Sequence, residues 1–540
     1  MMRRLLLTLL LLLPAITAQT QSARQFDLVV YGGTAGGVVT AIAAAREGLK
    51  VALLEPRNHL GGMVSGGLGW TDHGRKEVIG GYSLEFFQRV GRHYGEPITW
   101  YFEPHVAEQV FKEWCKEAGV TVLCQHRLRE QGGVRKKGTE IIEIVMENGA
   151  RFGARVFADC TYEGDLMAQA GVSYTWGRES SAEYGESLAG VRDRTPKHQF
   201  LVRKDLKDPK SEWLPVQLRP HDEDGRLLPE IYGGDKGRPG QADRKVQAYN
   251  FRMCLTDDPN NQVPFPKPPG YTPARYELLA RFLKEAGRVA GRPLALIDVM
   301  KPDNLGKNRK VDVNNNGAFS TDFIGGSWDY PDGDYKTRER VWQEHINYVA
   351  GFFYFLANDP QVPKPLQSEM RQWGLARDEF TDTNNWPHQL YVREARRMTG
   401  EFVMTQRDIQ DELAKPDVIG MGSYNSDSHN IQRIINEQGF VENEGDMQVP
   451  VKPYQIPWRI LLPKRKEATN LLVPVCFSAS HVSYSTLRME PQYMIIGQAA
   501  GVAAKLAIER RTAVQDVDTR ALSARLREQR AVFEWKPPAK

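Results

Sequence analysis

The sequence predicts an α/β protein whose parallel sheet is assembled from both ends of the chain around a long insertion. Three observations carry this. The run Phe26 to Pro56, FDLVVYGGTAGGVVTAIAAAREGLKVALLEP, changes its hydrophobic period twice, from strand to helix to strand. A second run, Arg151 to Cys160, alternates and then turns apolar before a turn at Thr161 to Gly164. Near the other end, the apolar segment Asn470 to Cys476 precedes a helix of small residues from about Pro491 to Glu509.

Met1 to Ala18 stands apart from the fold. MMRR is a basic start, and the apolar run Leu5 to Ile16 that follows is shorter than the roughly 20 residues that span a membrane. Thr17, Ala18 and Gln19 supply a small-residue cleavage zone, so the segment reads as a signal peptide. A secreted or periplasmic protein without a stable membrane span is expected. Sec export fits better than the twin-arginine route, because no Ser precedes Arg3 and Arg4 and no Phe-Leu-Lys follows.

The formal charge of +4 falls by two when Arg3 and Arg4 leave, which is no field for nucleic acid or an acidic membrane. The expected partner is a small molecule. The five cysteines, Cys115, Cys124, Cys160, Cys254 and Cys476, form no C-x-x-C pair, which excludes a dithiol centre of that type. No H-x-x-x-H spacing occurs, so no metal site is expected.

Phe26 to Tyr31 has the continuous apolar, β-branched character of a strand buried on both faces. Gly32 and Gly33 turn the chain, and Ala35 to Glu47 carries Val38, Val39, Ile42 and Ala45 at helical spacing before Gly48. Lys50 to Leu54 is the second strand, ending on Glu55. A turn this tight lets the backbone of Gly32, Gly33, Thr34, Ala35, Gly36 and Gly37 approach a pyrophosphate at a helix N-terminus. Glu55 stands where an acid accepts from a ribose hydroxyl. Aligned on G-x-G-x-x-G, Tyr31 takes the first glycine position, with Gly33 and Gly36 at the second and third. Pro56, Arg57, Gly61 and Gly62 form a loop suited to wrapping an adenosine.

VVYGGTAGG with LLEPRNHLGGM, ADCTYEGDLMAQAGV at 158–172, and SHVSYSTLRMEPQYMIIGQAAGVAAKLA at 480–507 together resemble an exported branch of the FAD-dependent oxidoreductases. That family is related to fumarate reductase flavoprotein-like and glutathione-reductase-like enzymes. The resemblance covers nearly all of the chain after Ala18 and implies a Rossmann-type FAD-binding domain, discontinuous in sequence, with an inserted α+β substrate domain. The expected boundaries are 26–170 for the first part, 171–449 for the insertion, 450–512 for the second part and 513–540 for a C-terminal helix and tail. Related enzymes carry Ala-Thr-Gly near Asp159, where this chain has Tyr162 and Glu163. Asp159 and Gly164 are carried over as cofactor contacts.

Ligands of open α/β sheets gather beyond strand carboxyl ends, which places the flavin ring at a polar loop from His481 to Arg488. Gly497 and Gly501 are expected at the cofactor or in close helix packing. Within the insertion, Tyr276 to Gly287 and Arg338 to Ala357 read as helices. YVREARRMTGEFVM, read as a helix, would put Arg393, Arg396 and Arg397 on one cationic face for an anionic or polyhydroxylated ligand, or pair them with nearby acids. Asp427 and His429 offer a carboxylate beside an imidazole.

Flavin chemistry needs a proton acceptor and a group that steadies flavin charge. His481 and then His429 are the candidates for the base, and Arg488 or the helix after it for the charge, with Arg393 and Arg397 toward the substrate. The expected reaction oxidises an alcohol or amine carbon of a small, carbohydrate-like substrate and passes electrons to an external acceptor, dioxygen or another. The alternatives are FAD-dependent reduction of an activated double bond, and a non-catalytic flavin- or carbohydrate-binding protein.

Overall fold

The computed structural model describes residues 23–411 and 414–536, so the segment read as a signal peptide lies outside the described residues. The strand–helix–strand unit is present as β1 (Arg24–Tyr31), α1 (Ala35–Arg46) and β2 (Val51–Leu54). Two amphipathic helices, α2 (Gly81–His93) and α3 (Pro104–Glu117), lead to β3 (Thr121–Leu123). An antiparallel arm, β4 (Val134–Lys137) and β5 (Glu140–Val145), precedes β6 (Arg151–Asp159). The strand order is β3-β2-β1-β6-β5-β4, with β3, β2, β1 and β6 mutually parallel.

The far end of the chain completes this sheet. Leu471–Leu472 pairs parallel with Phe157 and Ala158 of β6, beyond the point where β5 leaves it. Asn470 fills the gap between them. Its side-chain oxygen accepts from Ile141 N at 2.9 Å, and its amide donates to Ile141 O and Arg155 O at 2.8 and 3.2 Å. Only these two residues of the expected strand Asn470 to Cys476 are strand-paired.

The helix Glu490–Arg510 lies directly on α1. A Cβ at Gly497 would fall 2.3 Å from Gly36 O, and one at Gly501 2.4 Å from Thr40 O. The two glycines are therefore packing residues that let two helices touch backbone to backbone, the second of the two roles expected for them, in place of direct cofactor contact.

The intervening chain holds a five-stranded antiparallel sheet (Gln262–Val263, Gly374–Ala376, Met253–Thr256, Lys310–Asn314, Lys301–Asn304) and the helices Glu277–Ala290 and Tyr335–Asn358. Tyr454–Pro457 pairs with Val418–Gly422, so a ribbon crosses residue 449 before the chain returns to the main sheet. The expected arginine helix is absent. Residues 392–396 form no regular element, and Arg397–Met398 pairs antiparallel with Tyr174–Thr175. His481 lies not in a polar loop but at the start of the buried helix His481–Leu487, whose cap Ser480 accepts from Ser483 N at 3.2 Å.

Candidate functional site: a dinucleotide cleft and a buried histidine pair

At the carboxyl end of β1 the chain turns through Gly32 at φ +103°, and Gly32 N donates to Leu54 O at 2.8 Å. A Cβ there would lie 2.6 Å from Thr161 N, and a Cβ at Gly37 would lie 2.0 Å from Gly32 O. These are the positions that require glycine, so the glycine register is Gly32, Thr34, Gly37, one residue later than the alignment on Tyr31. Tyr31 instead closes the strand, its hydroxyl accepting from Leu128 N at 3.0 Å. Thr34 caps α1, accepting from Gly37 N at 3.1 Å and donating to Cys160 O at 2.8 Å. The loops at Gly33 and Gly61 are joined by a 2.7 Å bond from Gly61 N to Gly33 O, and Gly61 and Gly62 both take positive φ.

Glu55 leaves β2 and receives N–H bonds from Gly33 and Arg57, each 2.7 Å. Burial pushes its carboxyl up to about 7 against those two donors. Asp159 and Gly164 serve a different purpose from the one carried over for them. The Asp159 carboxylate accepts from Thr161 N, Thr161 Oγ1 and Met167 N at 3.1, 2.7 and 2.8 Å, so it builds the turn after β6. Gly164, at φ 71°, caps the short helix Asp165–Gln169.

Gly32, Thr34, Glu55 and Arg57 form one wall of a cleft with about 220 Å³ of internal space. Tyr335 and Trp342, from the intervening chain, stand on its rim. The residues fit a dinucleotide: a cradle that admits no Cβ, the N-terminus of α1 for a pyrophosphate, and an acid for ribose hydroxyls. In the first turn of the helix Glu490–Arg510, Gln492 is fully buried and both its amide atoms lack partners among the described residues. Flavin's mixed donor and acceptor edge has the chemistry to satisfy such an amide.

The second constellation is a chain of buried polar groups. His429 Nδ1 lies 2.7 Å from Asp322 Oδ2, and Arg393 donates to Asp322 Oδ1 at 2.9 Å. Burial raises the Asp322 carboxyl, but Arg393 and His429 outweigh it and hold the group at about 2. Burial, and then Arg393, lower His429 below the ordinary imidazole value. An ionised Asp322 makes Nδ1 the donor, which leaves Nε2 as the basic nitrogen. Asp427 Oδ2 is 3.8 Å from that Nε2, outside hydrogen-bond reach. Arg488 donates to Asp427 O at 2.6 Å and to the Tyr391 hydroxyl at 3.2 Å.

Gln247 links this group to His481. Its oxygen accepts from His429 N at 3.1 Å and its amide donates to Glu394 at 3.0 Å, while His481 Nδ1 is 2.8 Å from the same Glu394 oxygen. Arg397 is bonded to Glu394 and, at 2.5 Å, to Glu179, and burial followed by Arg397 drives His481 down to about 3. The arginines thus form no single patch. Arg393 meets Asp322, Arg396 meets Asp165 and Asp332, and Arg397 meets Glu179 and Glu394. Three buried cations meet three separate sets of acids, five in all, and irregular backbone presents them in three directions where one helix face cannot.

Among the described residues, Glu103, His105 and Glu379 come together at metal-ligand spacing. The Lys310 ammonium already fills that position, 2.6 Å from Glu103 and 2.8 Å from Glu379. Asp322, Tyr391 and Gln247 escaped notice in the sequence, and Glu394 reads there only as an acid that could pair with the arginines, as it does with Arg397. Asp322 ends the string VNNNGAFSTD, whose composition signals only a loop.

A family model described as FAD dependent oxidoreductase matches residues 27–526. No match was found among curated proteins. Among solved structures, L-proline dehydrogenase from P. horikoshii is 16% identical, with 29% of this chain and 59% of its own covered, at a TM-score of 0.24. OxyS anhydrotetracycline hydroxylase from Streptomyces rimosus is 12% identical, with coverages of 35% and 44% and a TM-score of 0.23. NikD, an amino acid oxidase of nikkomycin biosynthesis, is 11% identical, with coverages of 29% and 56% and a TM-score of 0.23. The matched segments span 44–59% of those three chains.

Proposed function

Because this chain belongs to the FAD-dependent oxidoreductase family, we propose that it oxidises an alcohol or amine carbon of a small substrate, with His429 as the proton acceptor. Family membership sets aside the non-catalytic reading. Bound FAD supplies the two-electron acceptor for such a reaction. The observation that carries the proposal is the buried pair His429–Asp322, 2.7 Å apart. Asp322 fixes the imidazole tautomer and stabilises the imidazolium once Nε2 takes the substrate proton. Arg393 steadies Asp322, and Arg488 from the C-terminal segment is bonded to Tyr391 and Asp427 beside it. His481 is the weaker candidate because its ring is tied to Glu394, which Arg397 also holds, while its backbone N–H is bound to Glu179. The proposed setting is secreted or periplasmic, with dioxygen or another external acceptor, and a carbohydrate belongs in the first substrate panel.

The test is an anaerobic panel of alcohols, amines and sugars, scored by bleaching of flavin absorbance. The active substrate should bleach the wild type and His481→Ala, and bleach His429→Ala at least about a hundredfold more slowly. Equal rates in wild type and His429→Ala would remove the base role.

One observation favours a second reading, reduction of an activated double bond. The Nε–H groups of Arg393 and Arg488 are buried without acceptors among the described residues, donors suited to the carboxylate of an unsaturated acid. Reoxidation of chemically reduced enzyme by such an acid, with no bleaching by the panel, would select it.

A further inference from the structure

The cofactor cleft has a second wall that nothing in the glycine motif announces. The helix Tyr335–Asn358 contributes residues to its lining and is tied at three points to segments that follow strands of the main sheet. The Tyr335 hydroxyl donates to Leu128 O at 2.8 Å, Arg338 grips both oxygens of Asp165 at 2.9 and 2.8 Å, and the Arg57 guanidinium carbon lies over Trp342, 3.8 Å from the ring centre. Trp342 is buried and held edge-to-face by Phe251 at 5.8 Å, so it cannot turn freely. Glu339 steadies Arg57 from the side at 3.7 Å. The Arg57 side chain remains 47% exposed, so its guanidinium is held against the indole while much of its surface stays open.

We propose that Arg57, held over Trp342, is the platform on which the adenine ring of FAD stacks. Arg57 stands two residues after Glu55, the acid positioned for the ribose hydroxyls, and the base is bonded to that ribose. Both residues line the same cleft as Gly32 and Thr34. A planar guanidinium on an aromatic ring offers a purine a π-stacking surface that a lysine ammonium cannot. Arg57 is the contact and Trp342 the positioning residue, which makes a helix of the intervening chain part of the cofactor site. The platform requires only the cofactor assignment and is independent of which substrate is oxidised.

The experiment follows FAD release from the holoenzyme on dilution, by the fluorescence of freed flavin, with ADP as competitor for rebinding. Arg57→Met and Trp342→Leu should each raise the FAD dissociation constant about ten- to a hundredfold, the range expected for one stacked base. The ADP dissociation constant extracted from that competition should rise by the same factor. Arg57→Lys should lose as much as Arg57→Met, whereas Trp213→Leu, at a ring 55% exposed, should match the wild type. Wild-type FAD and ADP binding in Arg57→Lys would overturn the platform in favour of simple charge attraction. Unchanged binding in a folded Trp342→Leu would overturn it equally. If Trp342→Leu does not fold, the Arg57 pair decides alone, since that side chain is half exposed.

Discussion

At His429, one hydrogen bond determines which nitrogen can react. With Nδ1 donating to Asp322, the lone pair sits on Nε2, and Asp322→Asn disturbs that choice without emptying the space. Its rate of flavin reduction should fall about a hundred- to ten-thousandfold, with flavin content unchanged. The pH profile gives a sharper check. Burial and Arg393 lower the His429 pKa, whereas Asp322 raises it, so the base form persists below the ordinary imidazole pKa of about 6.5. The acid limb of kcat/KM should therefore lie below pH 6.5. In Asp322→Asn it should move lower still, because the carboxylate that favours the imidazolium is gone. A limb that does not move with Asp322 would place the titrating base elsewhere.

Between elements, the decisive contact is α1 against the helix Glu490–Arg510. A methyl group at Gly497 would meet Gly36 O at 2.3 Å, and a backbone carbonyl has little room to yield. Gly497→Ala should cost about 1 to 3 kcal/mol by overpacking. It should also lower bound FAD, because the same shift displaces the N-terminus of α1. Thermal melting and the ratio of flavin to protein absorbance report the two effects, and a variant with wild-type values for both would mean the helices are not in such close contact. This contact was legible in the sequence as a run of glycine and alanine, and the strand–helix–strand unit as a change of period, because both are local signals. Segments governed by distant partners were not legible. Arg393 and Arg397 fit a helical spacing, and Glu394 beside Arg397 is local, yet Asp322 and Glu179, which hold them in different directions, lie 71 and 218 residues away. His481 looked like a loop residue because Glu394, its partner, is 87 residues earlier. The glycine register failed by one residue because Thr34 stands at the second glycine position, and only Gly37's contact with Gly32 O reveals it.

For the molecule as a whole, buried titratable groups set opposing slopes of stability against pH. His198 and His345 are lowered to about 4, and His388 and His481 to about 3, all chiefly by burial. Their unfolded forms take a proton near pH 6.5 while the folded forms refuse it, so stability falls as pH drops below 6.5. Glu490 has the opposite sign. Burial raises its carboxyl to about 8, and Tyr162 donates to one oxygen at 2.7 Å while the other is unpartnered. The unfolded chain releases this proton near pH 4.5 and the folded chain keeps it until about 8, so stability is lost as pH rises between those values. The slopes oppose each other between about 4.5 and 6.5, where stability should peak. Above 7 those buried histidines are neutral in both states, and Glu55, raised to about 7, has completed most of its change. Glu490 then contributes to the remaining loss between about pH 7 and 8, in the same direction as His59 and His105, whose imidazoles their carboxylate neighbours hold above the ordinary value. Glu490→Gln keeps an oxygen for Tyr162 but carries no titrating proton. With excess FAD throughout, its melting temperature should decline less across that interval than that of the wild type, by a few degrees. Parallel curves for the two proteins would show that Glu490 is already ionised in the folded state.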